Sequence, residues 1–198
     1  MRTIEVEVYK YNELSDSAKE KVKEWYLSDD TRSFIFKDDC EFYLKEAFPN
    51  SKLSVEFSLA YCQGDGLNIF GDLCMVDIIK RLSNEFTKKE LKFFDWYHRK
   101  FGDEYVDMQR NPTHYSYCVC GHNDFTNEYK ETMEYWKYRD IPYDLLNRLE
   151  NLAANYMKDL CYQFEHDGYT FLYEISDEEM QETCEANEYE FYSDGKIV

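Results

Sequence analysis

Residues 53–73 read LSVEFSLAYC-QGDG-LNIFGDL, two runs of alternating side chains on either side of a glycine-rich turn. In the first run, every second residue is a large apolar one: Leu53, Val55, Phe57, Leu59 and Tyr61. A period of two is typical of a β-strand that buries one face. Leu67 and Ile69 repeat the pattern after the turn. The segment therefore predicts a hairpin, which we expect near the centre of a sheet.

The turn of this hairpin consists of Gln63, Gly64, Asp65 and Gly66. Its glycines permit positive φ, and Asp65 can hydrogen-bond to its own backbone, as turn residues commonly do. In the alternative interpretation, these four residues form a ligand loop that binds a small polar molecule. A phosphate-binding loop would contain a following Lys and Ser or Thr, and a dinucleotide-binding turn would lead into a helix rather than a strand. We therefore expect a structural turn.

Length and composition predict a single α+β domain over residues 1–198. With 43% hydrophobic and 18% aromatic residues, the chain has enough apolar material for one core. The net charge of -18 makes duplex nucleic acid and anionic membranes poor partners and favours a basic one. Seven cysteines without a secretion signal or a long apolar run indicate reduced thiols in a cytoplasm.

Periodicity elsewhere predicts helices around the central hairpin and a few more strands. Helical spacing predicts helices after Ser15, over Ser33–Phe48, over Met75–Phe86, after Thr87, after Pro142 and after Ser176. The last of these begins with a capping box of Ser176 and Glu179 and has Met180 and Cys184 on its inner side. Alternation predicts strands over Thr3–Tyr9 and His114–Cys120, and a last hairpin that turns at Ser193-Asp194-Gly195. Residues 102–113 read as irregular, and residues 125–138 suit a helix and a loop equally. The sum is an antiparallel sheet of about five strands with helices packed on one face.

The acidic charge is concentrated at the C-terminal end. The last forty residues hold twelve acidic residues and one basic one, which is -11 of the total charge. The acidic surface, as we call it, comprises Asp177, Glu178, Glu179, Glu182, Glu185, Glu188 and Glu190. Such a surface can dock into a groove lined by Lys and Arg, with association that salt weakens. The alternative is a solvated face that only keeps the protein soluble.

Basic and aromatic residues alternate between Lys80 and Lys100. The basic ones are Lys80, Arg81, Lys88, Lys89, Lys92, Arg99 and Lys100, and the aromatic ones are Phe93, Phe94, Trp96 and Tyr97. Together they are able to stack on and neutralise a nucleotide. We favour the alternative, in which they belong to two core helices, because aromatic residues at helical spacing usually pack inward.

Four zinc-type donors share one face of a predicted strand: His114, Cys118, Cys120 and His122. Ligands two residues apart on a flat strand diverge, whereas a turn with two intervening residues would bring them together. We therefore expect buried thiols and no metal. The chain carries no recognised catalytic signature, so we predict a protein that is not an enzyme, with no catalytic residues and no cofactor.

Three passages resemble a family of small proteins from bacteriophage and prophage genomes: YNELSDSAKEK at 11–21, SLAYCQGDG at 58–66 and ISDEEMQETCEANEYEFYSDGK at 175–196. The resemblance implies a phage accessory protein in the cytoplasm of a bacterial host. It supplies no catalytic residues.

Small acidic phage proteins without catalytic motifs resemble, as a class, the inhibitors of host defence nucleases, namely anti-CRISPR and anti-restriction proteins. We therefore expect an inhibitor that binds the basic nucleic-acid groove of a Cas nuclease or restriction enzyme. One alternative is a protein that binds or sequesters a small nucleotide through the loop at 63–66. Another is an antitoxin-like regulatory partner. The sequence leaves the oligomeric state open.

Overall fold

The computed structural model of the protein describes residues 5–103, 105–109, 119–120 and 145–198. The chain divides into two compact units. The first unit consists of Met1–Phe36 and Asp167–Val198, and the second is Lys37–His166. Helices and an antiparallel sheet occur together, which confirms the α+β class. The single domain over residues 1–198 stays a prediction.

Six α-helices and four strands lie in the described residues. The helices are α1 (Asp16–Leu27), α2 (Thr31–Ala47), α3 (Met75–Arg81), α4 (Lys88–Phe101), α5 (Leu145–Tyr173) and α6 (Asp177–Ala186). The strands are β1 (Lys52–Ser58), β2 (Gly66–Cys74), β3 (Tyr105–Gln109) and β4 (Val119–Cys120). Short 3-10 turns occupy Tyr11–Glu13 and Ser83–Glu85. None of the helices in these parts of the chain is long and apolar enough to cross a membrane.

The sheet has the order β1-β2-β3-β4, with every neighbouring pair antiparallel. The predicted hairpin is confirmed, since β1 and β2 pair along their lengths up to Ser58 opposite Gly66. Its predicted position near the centre is not, because β1 is an edge strand of the sheet in the described residues. The first strand is shorter than predicted, because it ends at Ser58 and Tyr61 lies exposed in the connecting loop. We predicted about five strands. The described residues form four, and β4 has only two residues.

One predicted strand does not form in the described residues, and one strand there was not predicted. Over the described part of Thr3–Tyr9, Val6 and Val8 are exposed, and only Tyr9 makes a bridge, to Phe191. In the described ranges no strand lies beside this segment, so the alternation there does not form a strand. Conversely, the region we expected to be irregular contains β3, which pairs with β2 and buries Val106 and Met108.

The second unit is built on the sheet and the helices that follow it. Its buried side chains include Val55, Leu67, Ile69, Leu73, Ile78, Phe93, Phe94, Tyr97, Val106, Met108, Leu149 and Met157. The buried carboxylate of Asp77 in α3 accepts hydrogen bonds from the Asn50 backbone and side chain and from the Ser51 hydroxyl. These bonds tie the turn before β1 to α3. Gly168 does not interrupt α5, which continues to Tyr173.

The first unit has its own apolar core. It contains Tyr11, Leu14, Ala18, Val22, Met180, Cys184 and Phe191. As predicted, α6 begins at a capping box of Ser176 and Glu179, and Met180 and Cys184 face inward. The predicted last turn is also present, since the Tyr192 N–H donates to the Lys196 carbonyl at 2.8 Å. The residues beside this turn form isolated bridges rather than strands.

Candidate functional site

The acidic surface lies on α6 and the residues directly after it. Five of its seven carboxylates belong to α6, and Glu188 and Glu190 follow the helix. All seven residues are exposed. A helix of ten residues is about 15 Å long, so five of the negative charges lie within that distance.

Two members of this surface form ion pairs within the first unit. Asp177 lies 2.5 Å from the Lys23 ammonium and also accepts a hydrogen bond from the Tyr11 hydroxyl at 3.0 Å. The Lys23 hydrogen bond, followed by that of Tyr11, lowers the pKa of Asp177. Glu190 lies 3.1 Å from the Lys10 ammonium. These two carboxylates are therefore partly neutralised and serve to hold the first unit together.

Glu179 has a structural role at the start of α6. Its carboxylate accepts hydrogen bonds from the Ser176 backbone N–H at 3.0 Å and from the Ser176 hydroxyl at 2.9 Å. The backbone hydrogen bond is the main cause of its lowered pKa. In return, the Ser176 hydroxyl accepts from the Glu179 N–H at 3.1 Å. Glu179 is therefore a poor choice for a variant meant to test binding, because its loss would also disturb the helix.

The other four carboxylates, Glu178, Glu182, Glu185 and Glu188, have no ion pair with any residue in the described part of the chain. Glu185 accepts a hydrogen bond from the neutral Gln181 amide at 2.8 Å, which leaves its charge in place. The sequence of the first unit holds 18 acidic and 7 basic residues, a net charge of -11 in 68 residues. Its negative charge is thus far from balanced.

A small cleft adjoins this surface. The α6 cleft, as we call it, has a volume of about 230 Å³. It is lined by Lys10, Tyr11 and Asn12 on one side and by Gln181, Cys184, Glu185, Glu188 and Tyr189 on the other. Burial, and then the charge of Glu185, raises the pKa of the Cys184 thiol to about 11, so the thiol is neutral at physiological pH.

The residues on the N-terminal side of the α6 cleft were not predicted as site residues. They reach it because a three-residue 3-10 turn packs on α6, and Tyr11 and Asp177, which join the two segments, are 166 positions apart. A turn that short has no periodicity to reveal its packing face. The inward position of Cys184, which the spacing in α6 did predict, is the one available signal.

In the 63–66 loop, Asp65 is fully engaged by its own chain. One carboxylate oxygen accepts from the backbone N–H groups of Ala60 at 2.7 Å and Cys62 at 2.9 Å. The other accepts from the Cys62 thiol at 3.0 Å and the Ser58 hydroxyl at 3.4 Å. The Asp65 contact also raises the pKa of that thiol. A ligand would compete with these four donors, so the geometry favours a structural turn.

The aromatic residues of α4 mostly belong to the core, whereas the basic residues of α3 and α4 are exposed. Phe93, Phe94 and Tyr97 are at most 2% exposed and are not available to stack on a nucleotide. The Lys100 ammonium lies 5.3 Å from the centre of the Trp96 ring, which is only partly buried. This arrangement agrees with the interpretation of two core helices.

The zinc-type donors fall largely outside the described residues. His114, Cys118 and His122 lie there, and Cys120 is the second residue of β4. Within the parts of the chain that the structure describes, no group of three or more His, Cys, Asp or Glu residues is placed to hold a metal ion. The absence of a metal site at 114–122 stays a prediction.

The site has to be interpreted from its own residues. A scan against protein-family models, a search of curated proteins and a search of solved structures each find no match for this chain.

Proposed function

We propose that the protein is a phage-encoded inhibitor that docks its acidic surface into the basic nucleic-acid groove of a bacterial defence nuclease, such as a Cas nuclease or a restriction enzyme. The observation that carries the proposal is the set of four exposed carboxylates without an ion pair in the described residues: Glu178, Glu182, Glu185 and Glu188. The likeness of three sequence passages to phage proteins supplies the class of target.

The spacing of the charges supports this kind of partner. Five carboxylates over about 15 Å of α6 correspond to roughly one charge per 3 Å of helix. Phosphates follow one another about every 3.4 Å along one strand of duplex DNA. Averaged along the axis, α6 therefore carries negative charge at a density comparable to that of a phosphate strand, and the carboxylates that share one face, Glu178, Glu182 and Glu185, lie successively about 4.5–6 Å apart.

The nucleotide-binding alternative has less support. Asp65 is occupied by four donors of its own loop, and the aromatic rings of α4 are mostly buried. The antitoxin-like alternative shares the acidic surface and differs only in the partner.

The test is a variant that removes only charges without an ion pair. It carries Glu178→Gln, Glu182→Gln, Glu185→Gln and Glu188→Gln, and it retains Glu179 so that the helix cap stays intact. A matched control removes four exposed acidic residues of the second unit by Asp38→Asn, Asp39→Asn, Glu46→Gln and Asp72→Asn. Both variants have the same net charge, so any difference between them belongs to the position of the charges.

Tagged wild-type protein is used to capture partners from a bacterial lysate at low and high salt. A nucleic-acid-binding nuclease retained at low salt and released at high salt is the expected partner. The captured protein is then purified and loaded with labelled nucleic acid. Wild type and the control should displace the nucleic acid at similar concentrations. The variant with glutamine at 178, 182, 185 and 188 should require a concentration at least about ten-fold higher. Equal displacement by both variants contradicts the proposal, and a basic toxin as partner favours the antitoxin-like alternative.

A further inference from the structure

The α6 cleft lies within the acidic surface, and its size and lining point to one kind of occupant. We infer that it receives a single arginine side chain of the basic partner, with the guanidinium between Glu185 and Glu188. The inference rests on the proposed function and names the chemistry by which the partner is recognised.

Size argues for a side chain rather than a whole small molecule. Pockets for cofactors and other small ligands usually have volumes of about 300–1,000 Å³. The α6 cleft, at about 230 Å³, is smaller than this range. A nucleotide or cofactor would not be enclosed, whereas one long side chain from a docked protein would be.

The charges at the cleft favour a cation. Glu185 and Glu188 line it, and neither forms an ion pair in the described part of the chain. Lys10 is the one basic residue in the lining, and its ammonium is already paired with Glu190 at 3.1 Å. Gln181 donates to Glu185 and restricts the orientation of that carboxylate. The cleft therefore presents two uncompensated carboxylates to an incoming group.

The aromatic part of the lining favours arginine over lysine. A guanidinium is planar, stacks on aromatic rings and is less strongly hydrated than an ammonium. Tyr189 lines the cleft and is partly exposed, so its ring can stack on a guanidinium, whereas Tyr11 is only 3% exposed and forms part of the cleft wall. The Tyr11 hydroxyl donates a hydrogen bond to Asp177. The Tyr189 ring packs edge-on against the Trp25 ring, with 5.6 Å between the ring centres. The neutral Cys184 thiol adds an apolar surface for the methylene stem.

The test uses the whole chain and small probes. Two-dimensional amide NMR spectra are recorded while N-acetyl-arginine methylamide is added, and separate titrations use the lysine analogue and the neutral isostere citrulline. Arginine should shift the amide signals of residues 10–12 and 181–189 in a saturable manner. Lysine should bind several-fold more weakly, and citrulline should leave these signals unchanged.

Two double variants separate the cleft from general attraction by charge. Glu185→Gln with Glu188→Gln should weaken arginine binding by about ten-fold. Glu178→Gln with Glu182→Gln removes the same charge from α6 outside the cleft and should change arginine binding by no more than about two-fold. The spectra themselves show whether each variant keeps its fold.

The outcomes distinguish this inference from the proposed function. The inference that arginine binds in the α6 cleft is overturned if both double variants weaken arginine binding equally, or if arginine causes no saturable shift. Displacement of nucleic acid from the captured partner is measured separately, so the inhibitor proposal can survive that result. If arginine binds in the cleft and no nuclease is captured, the inhibitor proposal fails and the arginine site remains.

Discussion

At the scale of single residues, Glu90 is a buried carboxylate that joins the start of α4 to α5. It is 5% exposed, lies 3.0 Å from the Arg148 guanidinium and accepts the Thr87 N–H at 2.7 Å. Burial raises the pKa of Glu90, but the hydrogen bonds from Thr87 and Arg148 outweigh this effect and hold it below 4.5. The folded state therefore releases this proton more readily than the unfolded state does.

Acid should remove the stabilisation that Glu90 provides. Because the pKa is lower in the folded state, the contribution is complete above about pH 4.5 and is lost as the pH falls further. Glu90→Gln should lower the free energy of unfolding by about 1–3 kcal/mol at neutral pH. The difference from wild type should shrink in urea titrations at about pH 3. The exposed Glu85→Gln serves as control, and a pH-independent difference for Glu90→Gln contradicts this account.

Asp65 allows a direct comparison between a structural turn and a ligand loop. Asp65→Ala removes the acceptor of two backbone N–H groups, those of Ala60 and Cys62. These groups are exposed, so water replaces part of the loss, and the free energy of unfolding should fall by only about 1 kcal/mol. Gln63→Ala, in the same loop, should change it by less than about 0.5 kcal/mol. Urea denaturation measures both values. If Asp65→Ala leaves the free energy of unfolding unchanged, the interpretation of 63–66 as a ligand loop is favoured instead.

At the scale of elements, α1 and α6 each have a serine at the N-cap position, and the two serines have different roles. Ser176 before α6 accepts a hydrogen bond from the Glu179 N–H, whereas Ser15 before α1 forms no side-chain cap. Instead, the Ser15 hydroxyl lies 3.2 Å from that of Ser17. Ser176→Ala should therefore destabilise the protein by about 1 kcal/mol, and Ser15→Ala by a few tenths. Thermal unfolding of the two variants provides the comparison, and equal losses would argue against a role for the cap.

The hairpin of β1 and β2 depends on a glycine in β2. Gly71 has a φ of +115°, and an added Cβ would lie 2.1 Å from the Lys52 carbonyl oxygen of β1. Gly102 also has a positive φ, of +88°, but an added Cβ meets nothing within 4 Å. Gly102 has a ψ of -156°, a combination that essentially only glycine adopts, so Gly102→Ala should cost about 1–3 kcal/mol through the backbone conformation alone. Gly71→Ala adds a clash with the paired strand and should cost clearly more, as judged by urea denaturation. If the two variants lose similar amounts of free energy of unfolding, β1 can shift to relieve the clash at residue 71.

Sequence patterns predicted those elements in which periodicity and a local signal agree. The N-cap residue Thr87 and the capping box at Ser176 placed α4 and α6, and alternation around the 63–66 turn placed the hairpin of β1 and β2. Patterns failed where pairing depends on distant residues. Val6 and Val8 alternate as in a strand, but no strand in the described part of the chain lies beside them, and β3 is a short run that its pairing with β2 stabilises.

The candidate site was predictable only in part, for a related reason. Acidic residues close together in sequence on α6 are close together in space, so composition alone located the acidic surface. Which carboxylates carry an uncompensated charge depends on Lys10 and Lys23, which are distant in sequence. The α6 cleft likewise depends on the packing of Tyr11. The three-dimensional structure was therefore needed to distinguish the paired carboxylates, Asp177 and Glu190, from the unpaired ones.

At the scale of the whole molecule, the uneven charge should make the free protein less stable than its core permits. Like charges spaced three or four residues apart on α6, such as Glu178, Glu182 and Glu185, repel one another. Salt screens this repulsion, so the Tm of wild type should rise with salt. The variant with glutamine at 178, 182, 185 and 188 should have a Tm about 2–4 °C higher at low salt and a smaller rise with added salt.

The same variant separates a binding surface from a merely solvated one, because stability and binding should respond in opposite directions. If the carboxylates exist to meet a basic groove, neutralising them raises the Tm while weakening displacement of nucleic acid from the partner. If they only keep the protein soluble, neutralising them raises the Tm and lowers solubility without affecting displacement. Calorimetry and the displacement assay on one preparation decide between the two. A surface that costs stability in the free protein and regains it in the complex is a surface suited to binding.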